Sequence, residues 1–361
     1  MSEVVIHVGK FNCFNSSRLF MQRNWDSGKV IFICRNGNFT ATNARKWGVH
    51  FRELSLWNLL KSIDQNTTRI VFHAQASLPY LIISLLLIRL KKWKVELVYD
   101  IHDMHEQQHG SIKVWVRWLI LGAAELLVLC LFKIRAITVS ESIAKEIARR
   151  YKCAQPDVCL NVSPNQKSPE SHKLLSEPRI VYFGNFGRFH EYRISSQTLE
   201  TLEREKVSID FHGHIDPEYQ NKLAGYAERG VIRLHGEYRP EDLSFLYNYN
   251  FAILDYASSP SCNVRFCLPN KIFQALGHGL TVLVSPNLEQ ARQLFAKVPF
   301  AVVQLPPNYK KVREFLENII RERPSEYYDM VNGYLDKLAD MSRLSYLGLH
   351  RDEIQKHRFS S

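Results

Sequence analysis

The feature that most constrains this chain is a repeated alternation of short, almost continuously apolar runs with longer segments of helical periodicity. Val-Val-Ile-His-Val at 4–8, Lys-Val-Ile-Phe-Ile-Cys at 29–34, and the runs at 70–73, 95–99 and 136–139 read as strands. Segments 17–27, 78–90, 112–132 and 141–151 read as helices. A strand apolar on both faces must be covered on both, and parallel neighbours need a crossover, which the intervening helices supply. The pattern therefore predicts an α/β fold with a parallel sheet between two helical layers.

After a last strand at 158–162 the composition turns polar and proline-bearing over 163–173, and then the alternation restarts. Strands are expected at 179–183, 208–212, 231–234, 251–255 and 280–284, and helices at 195–203, 217–229, 240–247 and 270–276. Two further helices, 310–321 and 324–346, close the chain. At 361 residues one ordinary core does not suffice. The expected organisation is a Rossmann-like domain at 1–165, a linker at 166–178, a second Rossmann-like domain at 179–325, and helices at 326–361 that return to the first domain.

Charge is distributed unevenly. Residues 1–170 hold 23 Lys and Arg against 13 Asp and Glu, an excess of 10, where the remaining residues hold an excess of 1. The basic groups, Arg89, Lys91, Lys92, Lys94, Lys113, Arg117, Lys133 and Arg135, flank very apolar segments. That pattern fits an anionic membrane surface, because the cations meet head groups while neighbouring Leu, Ile and Trp enter the interface. Nucleic-acid binding fits the charge but not the pattern, which lacks basic residues interleaved with exposed aromatics. The apolar runs at 78–90 and 118–132 are shorter than the roughly 20 residues of a spanning helix. Seven cysteines, an odd number with no CxxC spacing, together with a strand that starts at Val4, predict a reducing cytoplasmic setting.

Candidate chemistry gathers where strands end, since open α/β sheets place ligands beyond the carboxyl edge. Asp100, His102 and Asp103 follow one buried strand. Asp100 or Asp103 is placed to accept a hydroxyl proton, or else a departing phosphate takes that proton and His102 positions the sugar. Although His105 and His109 follow, the ligands alternate along a loop without zinc-site spacing, so no metal is expected. Gly184, Asn185 and Gly187 form a loop in which backbone can approach a diphosphate, with Arg188 and Arg193 as cations beside it. Residues 262–285 read as a loop stiffened by Pro269, a helix opening with Asn270 and Lys271 and carrying Gln274, a Gly-His-Gly break and a buried strand. This unit presents a helix N-terminus and a lysine to an anion. Tyr238, Tyr256 and Phe186 are the aromatic candidates for ligand contact. No Gly-x-Ser-x-Gly, phosphate-loop or His-Glu-x-x-His motif is present, which leaves hydrolase, ATPase and zincin readings without support.

In their order and spacing these segments resemble the GT-B-fold, group-one glycosyltransferases that use nucleotide sugars to build bacterial surface glycans. The resemblance rests on Asn15-Ser-Ser-Arg18, Asp100-Ile-His102-Asp103, Val139-Ser140, Asn161-Val-Ser-Pro164, Gly184-Asn185-Phe-Gly187-Arg188, Gly236–Leu243 and Leu268-Pro-Asn270-Lys271. It implies two Rossmann-like domains facing each other across a cleft. The first would take a lipid-linked or polysaccharide acceptor (capsule, O-antigen or exopolysaccharide), and the second a UDP- or GDP-sugar as co-substrate, with no metal or other cofactor. It also implies a peripheral position on the inner face of the cytoplasmic membrane. The family's paired glutamates are replaced here by Phe266 and Gln274. That departure keeps two other readings open, a GT-B-fold sugar-nucleotide epimerase and an inactive subunit that serves as a membrane-surface partner.

Overall fold

In the computed structural model, residues 3–9, 17–34, 48–104, 112–162, 175–186, 194, 196–238, 242–256, 261–306 and 311–349 are described. The chain forms two compact units, one of residues 1–161 and 339–361, the other of residues 162–338. Each is built on its own parallel sheet.

The first unit holds β1 (Val4–Gly9), β2 (Lys29–Cys34), β3 (His50–Glu53), β4 (Thr67–His73), β5 (Glu96–Ile101), β6 (Arg135–Thr138) and β7 (Asp157–Val158) in the order β3-β2-β1-β4-β5-β6-β7. Apart from His7 and Lys29, β1 and β2 are apolar, and all but Lys29 is buried, as a sheet covered on both faces requires. Connections run one way from β1 to β3 and the other way from β4 to β7, so the order reverses between β1 and β4. Ligands bind at such a reversal in open α/β sheets. The helices are α1 (Ser17–Trp25), α2 (Leu56–Ser62), α3 (Leu78–Lys91), α4 (Ile112–Leu126) and α5 (Glu141–Tyr151).

The second unit repeats the scheme with β8 (Ile180–Phe183), β9 (Ile209–His212), β10 (Ile232–Leu234), β11 (Phe251–Leu254), β12 (Thr281–Val284) and β13 (Val302–Gln304), ordered β10-β9-β8-β11-β12-β13. Its reversal lies between β8 and β11. Helices α6 (Ser196–Arg204), α7 (Pro217–Glu228), α8 (Cys262–Arg265), α9 (Asn270–Gly277), α10 (Glu289–Leu294) and α11 (Val312–Glu322) accompany it. The last helix, α12 (Tyr327–Leu347), begins in the second unit and ends in the first.

Several elements differ from the sequence expectation. The helix expected over 112–132 stops at Leu126 and continues as a π-turn, Leu127–Leu131. The helix expected over 240–247 is a single 3-10 turn, Ser244–Asn248; residues 239–241 lie outside the described residues, as do linker residues 163–174. The strand expected over 158–162 shrinks to Asp157–Val158. β3 and β13 were not anticipated because edge strands need no continuous apolar run, and their residues are mostly half-buried or exposed. Short α2, α8 and α10 give too few turns for a periodic signal.

The end of α12 is fastened to the first sheet by charge. Arg135 of β6 pairs with Glu96 at 2.7 Å and Asp157 at 3.3 Å, and donates to the Ser345 and Tyr346 carbonyls that end the helix. Arg69 of β4 donates to the Leu347 carbonyl at 3.3 Å. Two cations thus meet the negative end of the helix dipole. Replacing Arg135 with Ala takes the guanidinium from the Ser345 and Tyr346 carbonyls and from Asp157, while Arg69 still holds Glu96 at 2.6 Å, and is expected to cost about 2 kcal/mol. Urea unfolding checks this, and a change below about 0.5 kcal/mol would show that water replaces the guanidinium.

Candidate functional site

Each sheet reversal carries a cluster of polar groups. In the first unit the cluster forms because β4 and β5 end side by side, with His73 in register with Asp100 and with Gly9 of β1. The chain leaving β1 returns as α1, which supplies Arg18 and Gln22, with Asp26 just beyond its end. Asp100 is wholly buried. Arg18 Nε donates to its Oδ1 at 2.9 Å and Oδ2 at 2.7 Å, and Arg18 Nη2 donates to Oδ1 at 2.5 Å. Arg18 Nη1 also donates to the Cys159 carbonyl at 2.5 Å and to Asn161 Oδ1 at 3.0 Å. Burial alone would raise the Asp100 pKa, but the adjoining guanidinium holds the carboxyl well below its usual range.

Two histidines close on the other side of the carboxylate. His73 Nδ1 lies 3.0 Å and His102 Nε2 3.2 Å from Asp100 Oδ2. Behind His73 runs a buried chain. Its Nε2 is 3.0 Å from His7 Nδ1, His7 Nε2 is 2.7 Å from Asp26 Oδ2, and Asp26 Oδ1 accepts from the Tyr346 hydroxyl at 2.8 Å. Burial lowers the His73 pKa to about 4 despite the carboxylate beside it.

This geometry separates the three sequence candidates. Asp103 is exposed and the His102 side chain keeps 29% of its surface, so both face solvent at the sheet edge. Asp100 does not. With no accessible surface and both oxygens engaged, it has no route to an acceptor hydroxyl, and its effect is to orient His102. Sequence reasoning missed His7, Gln22, Asp26 and His73 altogether. The available signal, at His7 and His73, was a histidine inside an otherwise apolar strand, which calls for a buried partner.

In the second unit β8 ends at Gly184 with φ +128, a conformation that L residues rarely adopt. A Cβ there would lie 2.0 Å from Lys271 Nζ, and one on Gly213 would lie 2.0 Å from the Gly184 carbonyl oxygen. The glycines therefore let Lys271, from the first turn of α9, pass directly over the end of β8. Its ammonium rests 4.7 Å from the Tyr182 ring centroid. Thus Gly184 and Lys271, read separately in the sequence, meet at the reversal between β8 and β11. Asn185 beside them is exposed, and Asn270 and Gln274 are half-buried on α9.

At the ends of β9 and β10 lies an aromatic stack. His212 lies 4.5 Å from His235 at an interplanar angle of 2° and 4.2 Å from Phe245 at 19°. Tyr238 is tilted against Phe245 at 5.3 Å. Burial and the neighbouring His235 lower the His212 pKa to about 4. Of the three aromatic candidates only Tyr238 keeps partial exposure. Phe186 and Tyr256 are 2% and 4% exposed and belong to the core. Gly187, Arg188 and Arg193 lie outside the described residues.

No protein-family model matches the chain, and no curated protein sequence does. Solved structures do. HepE from Anabaena in complex with UDP is 9% identical with a TM-score of 0.65, over 99% of each chain. The lipopolysaccharide outer core galactosyltransferase WaaB in its apo form is 12% identical with a TM-score of 0.58, over 96% of this chain and 98% of that one. A UDP-N-acetylglucosamine 2-epimerase is 11% identical with a TM-score of 0.55, over 98% of each. These likenesses, with the two parallel sheets, give the chain the GT-B fold.

A folded-state pKa of about 4 for His212, below the unfolded value near 6.5, means the unfolded chain binds more protons between those values. Its contribution to stability is complete above pH 6.5 and is lost as pH falls toward 4. Replacing His212 with Gln, which does not titrate, is expected to flatten part of the fall in urea-unfolding stability over that window; an unchanged slope would place the proton uptake elsewhere.

Proposed function

We propose that this protein is a nucleotide-sugar glycosyltransferase whose second unit holds the donor and whose first unit receives the acceptor. The observation that carries the reading is the Lys271 ammonium lying over Gly184 where the strand order reverses, next to the His235, His212, Phe245 and Tyr238 rings. A leaving diphosphate needs cations and backbone N–H donors fixed in advance. Lys271 and the N-terminus of α9 at Asn270 supply them, with Arg188, Arg193, Asn185 and the Gly184–Gly187 loop as further contacts. Tyr238 and the outer face of His235 take the base, and Gln274 reaches the ribose diol. This set meets the diphosphate charge without a metal. The UDP in the HepE complex favours a uridine donor.

On the acceptor side, Asp103 takes the hydroxyl proton in an inverting reaction. In a retaining one the departing phosphate takes it and His102 positions the acceptor, with Asp100 and Arg18 fixing the imidazole. The lipopolysaccharide enzyme among the similar structures supports an acceptor of the bacterial surface-glycan class, lipid-linked or polysaccharide.

Membrane attachment follows from an inverted helix. In α4 the one acidic residue, Glu125, is buried and accepts from the Tyr99 and Tyr151 hydroxyls at 2.7 and 2.6 Å. Its apolar residues Ile112, Trp115, Val116, Leu119 and Ile120 are exposed, as are Leu86 and Leu90 of neighbouring α3. Exposed Lys91, Lys92, Lys94, Lys113, Arg117 and Lys133 surround them. Among the described residues no helix is long and apolar enough to cross a membrane. An apolar face bordered by lysines suits the surface of an anionic bilayer, and we assign it to the cytoplasmic face of the inner membrane. The epimerase-like structure supports a second reading in which a free nucleotide sugar is the only substrate, but that reaction has no use for such a face.

Calorimetric titration with UDP tests the donor site. Lys271→Ala and Gly184→Ala are each expected to weaken binding at least about tenfold, the loss of one charge-assisted contact; wild-type affinity in both overturns the assignment. For the surface, Leu119→Asp/Ile120→Asp is expected to abolish sedimentation with vesicles containing phosphatidylserine, and wild-type binding should weaken with salt. Equal affinity for neutral vesicles would remove the electrostatic component.

A further inference from the structure

We infer that Asp210, a buried carboxylate inside β9, is the positioning residue of the nucleobase site: it pins the His235 ring as the open end of a three-ring stack against which the base of the donor lies. The inference rests on the donor reading above and adds to it a residue with 1% of its surface exposed, which touches no ligand itself. Its first ground is register. Asp210 of β9 pairs with Arg233 of β10. Two residues further along each chain, on the same face because side chains alternate, come His212 and His235. The carboxylate thus lies on the side of the sheet that carries the stack.

The second ground is the set of hydrogen bonds on that carboxylate. Arg233 donates through Nε to Oδ1 at 2.6 Å and through Nη2 to Oδ2 at 3.3 Å, and Arg179 Nη2 donates to Oδ2 at 3.5 Å. This fork compensates the burial of the charge. His235 Nε2 reaches Oδ1 as well, at 3.0 Å. Burial pushes the Asp210 pKa up, but the hydrogen bonds from His235 and Arg233 outweigh it and hold the carboxyl below its ordinary value. An ionised carboxylate has no proton to give, so His235 Nε2 is the donor whether or not Nδ1 also carries a proton.

The third ground is the stack that this bond completes. A donor fixed at Nε2 sets the rotation of the imidazole, and the ring lies parallel to His212, 4.5 Å away at 2°. His212 is held in turn by the Tyr249 hydroxyl, 2.9 Å from its Nε2, and by Phe245 at 4.2 Å. Tyr249 itself lies under the Arg179 guanidinium at 5.1 Å, so the same arginine braces both the carboxylate and the stack. The rings run Phe245, His212, His235, and the last keeps 41% of its side-chain surface exposed. Among the described residues no further ring lies against it. Every base has a π face, and stacking on such a platform is tolerant of which base it is. A ring already held flat loses little further freedom when a base settles on it, so more of the contact goes into affinity.

The test titrates the full chain with UDP by calorimetry. His235→Ala and Asp210→Ala are each expected to weaken binding at least about fivefold, the low end for a base stacked on a ring. The double variant is expected to match His235→Ala within about twofold, because Asp210 acts only through that ring. Additive losses would show Asp210 supporting the unit at large and overturn the inference. Arg179 and Arg233 are 42% and 56% exposed, so removing the carboxylate strands no buried charge; if circular dichroism shows Asp210→Ala unfolded, Asp210→Val, which fills the strand position, replaces it in the cycle. Nitrogen NMR of the wild-type imidazoles gives a reading that needs no variant: His235 is expected to carry a proton on Nε2, and a bare Nε2 overturns the pairing. UDP binding that neither substitution weakens overturns this inference alone and leaves the Lys271 contact standing. A wild type that binds no UDP overturns the donor reading, and this inference with it.

Discussion

The first unit depends on the buried ion pair of Arg18 and Asp100. Neither group has appreciable access to water, and two charges removed from solvent are tolerated only when geometry and additional hydrogen bonds compensate the desolvation. Here they do. The guanidinium reaches both oxygens of Asp100, the Cys159 carbonyl and Asn161, so one side chain ties α1, β5 and the segment after β7 into a single arrangement. Once that is set, the free side of the carboxylate faces His73 and His102, and the edge of the sheet acquires its chemistry. Losing either partner would strand the other charge in the core, typically a cost of about 3–5 kcal/mol.

The second unit solves a comparable problem by omission. At the end of β8, Gly184 and Gly213 lack the side chains that would occupy the space above the strand, and Lys271 fills it. The ammonium is held near the Tyr182 face by cation–π attraction, a weaker constraint than an ion pair. On the donor-site reading proposed above, an ammonium held by so weak a contact can turn to an incoming anion, whereas Arg18 is committed to its own fold.

The inverted helix α4 brings the two themes together. A carboxylate in an apolar helix normally points to solvent, but Glu125 points inward because two tyrosine hydroxyls, from β5 and the end of α5, satisfy its oxygens. That anchoring rotates the apolar residues outward. Periodicity alone marks this segment as an amphipathic or buried helix; which side faces out is a matter of where its single acidic residue finds donors.

Much of this was legible in the chain itself. The apolar strands, their order of appearance, the restart after the polar segment and the helix at Asn270–Gly277 follow from local pattern, because burial on both faces demands continuous apolar runs and because glycine and proline punctuate them. So did the candidacy of Gly184, Lys271, His102 and Asp103. What the linear pattern did not carry is which residues meet. His7, Gln22, Asp26 and His73 reach Asp100 and one another only because parallel pairing brings β1, β4 and β5 side by side and α1 folds back over them. The burial of Asp100, against the expectation of a surface base, comes from an arginine 82 positions away in sequence. Sequence determined the elements and the chemical groups at their ends; tertiary structure decided which of those groups are buried, paired or exposed, since pairing and desolvation depend on distances that only the packed sheet establishes.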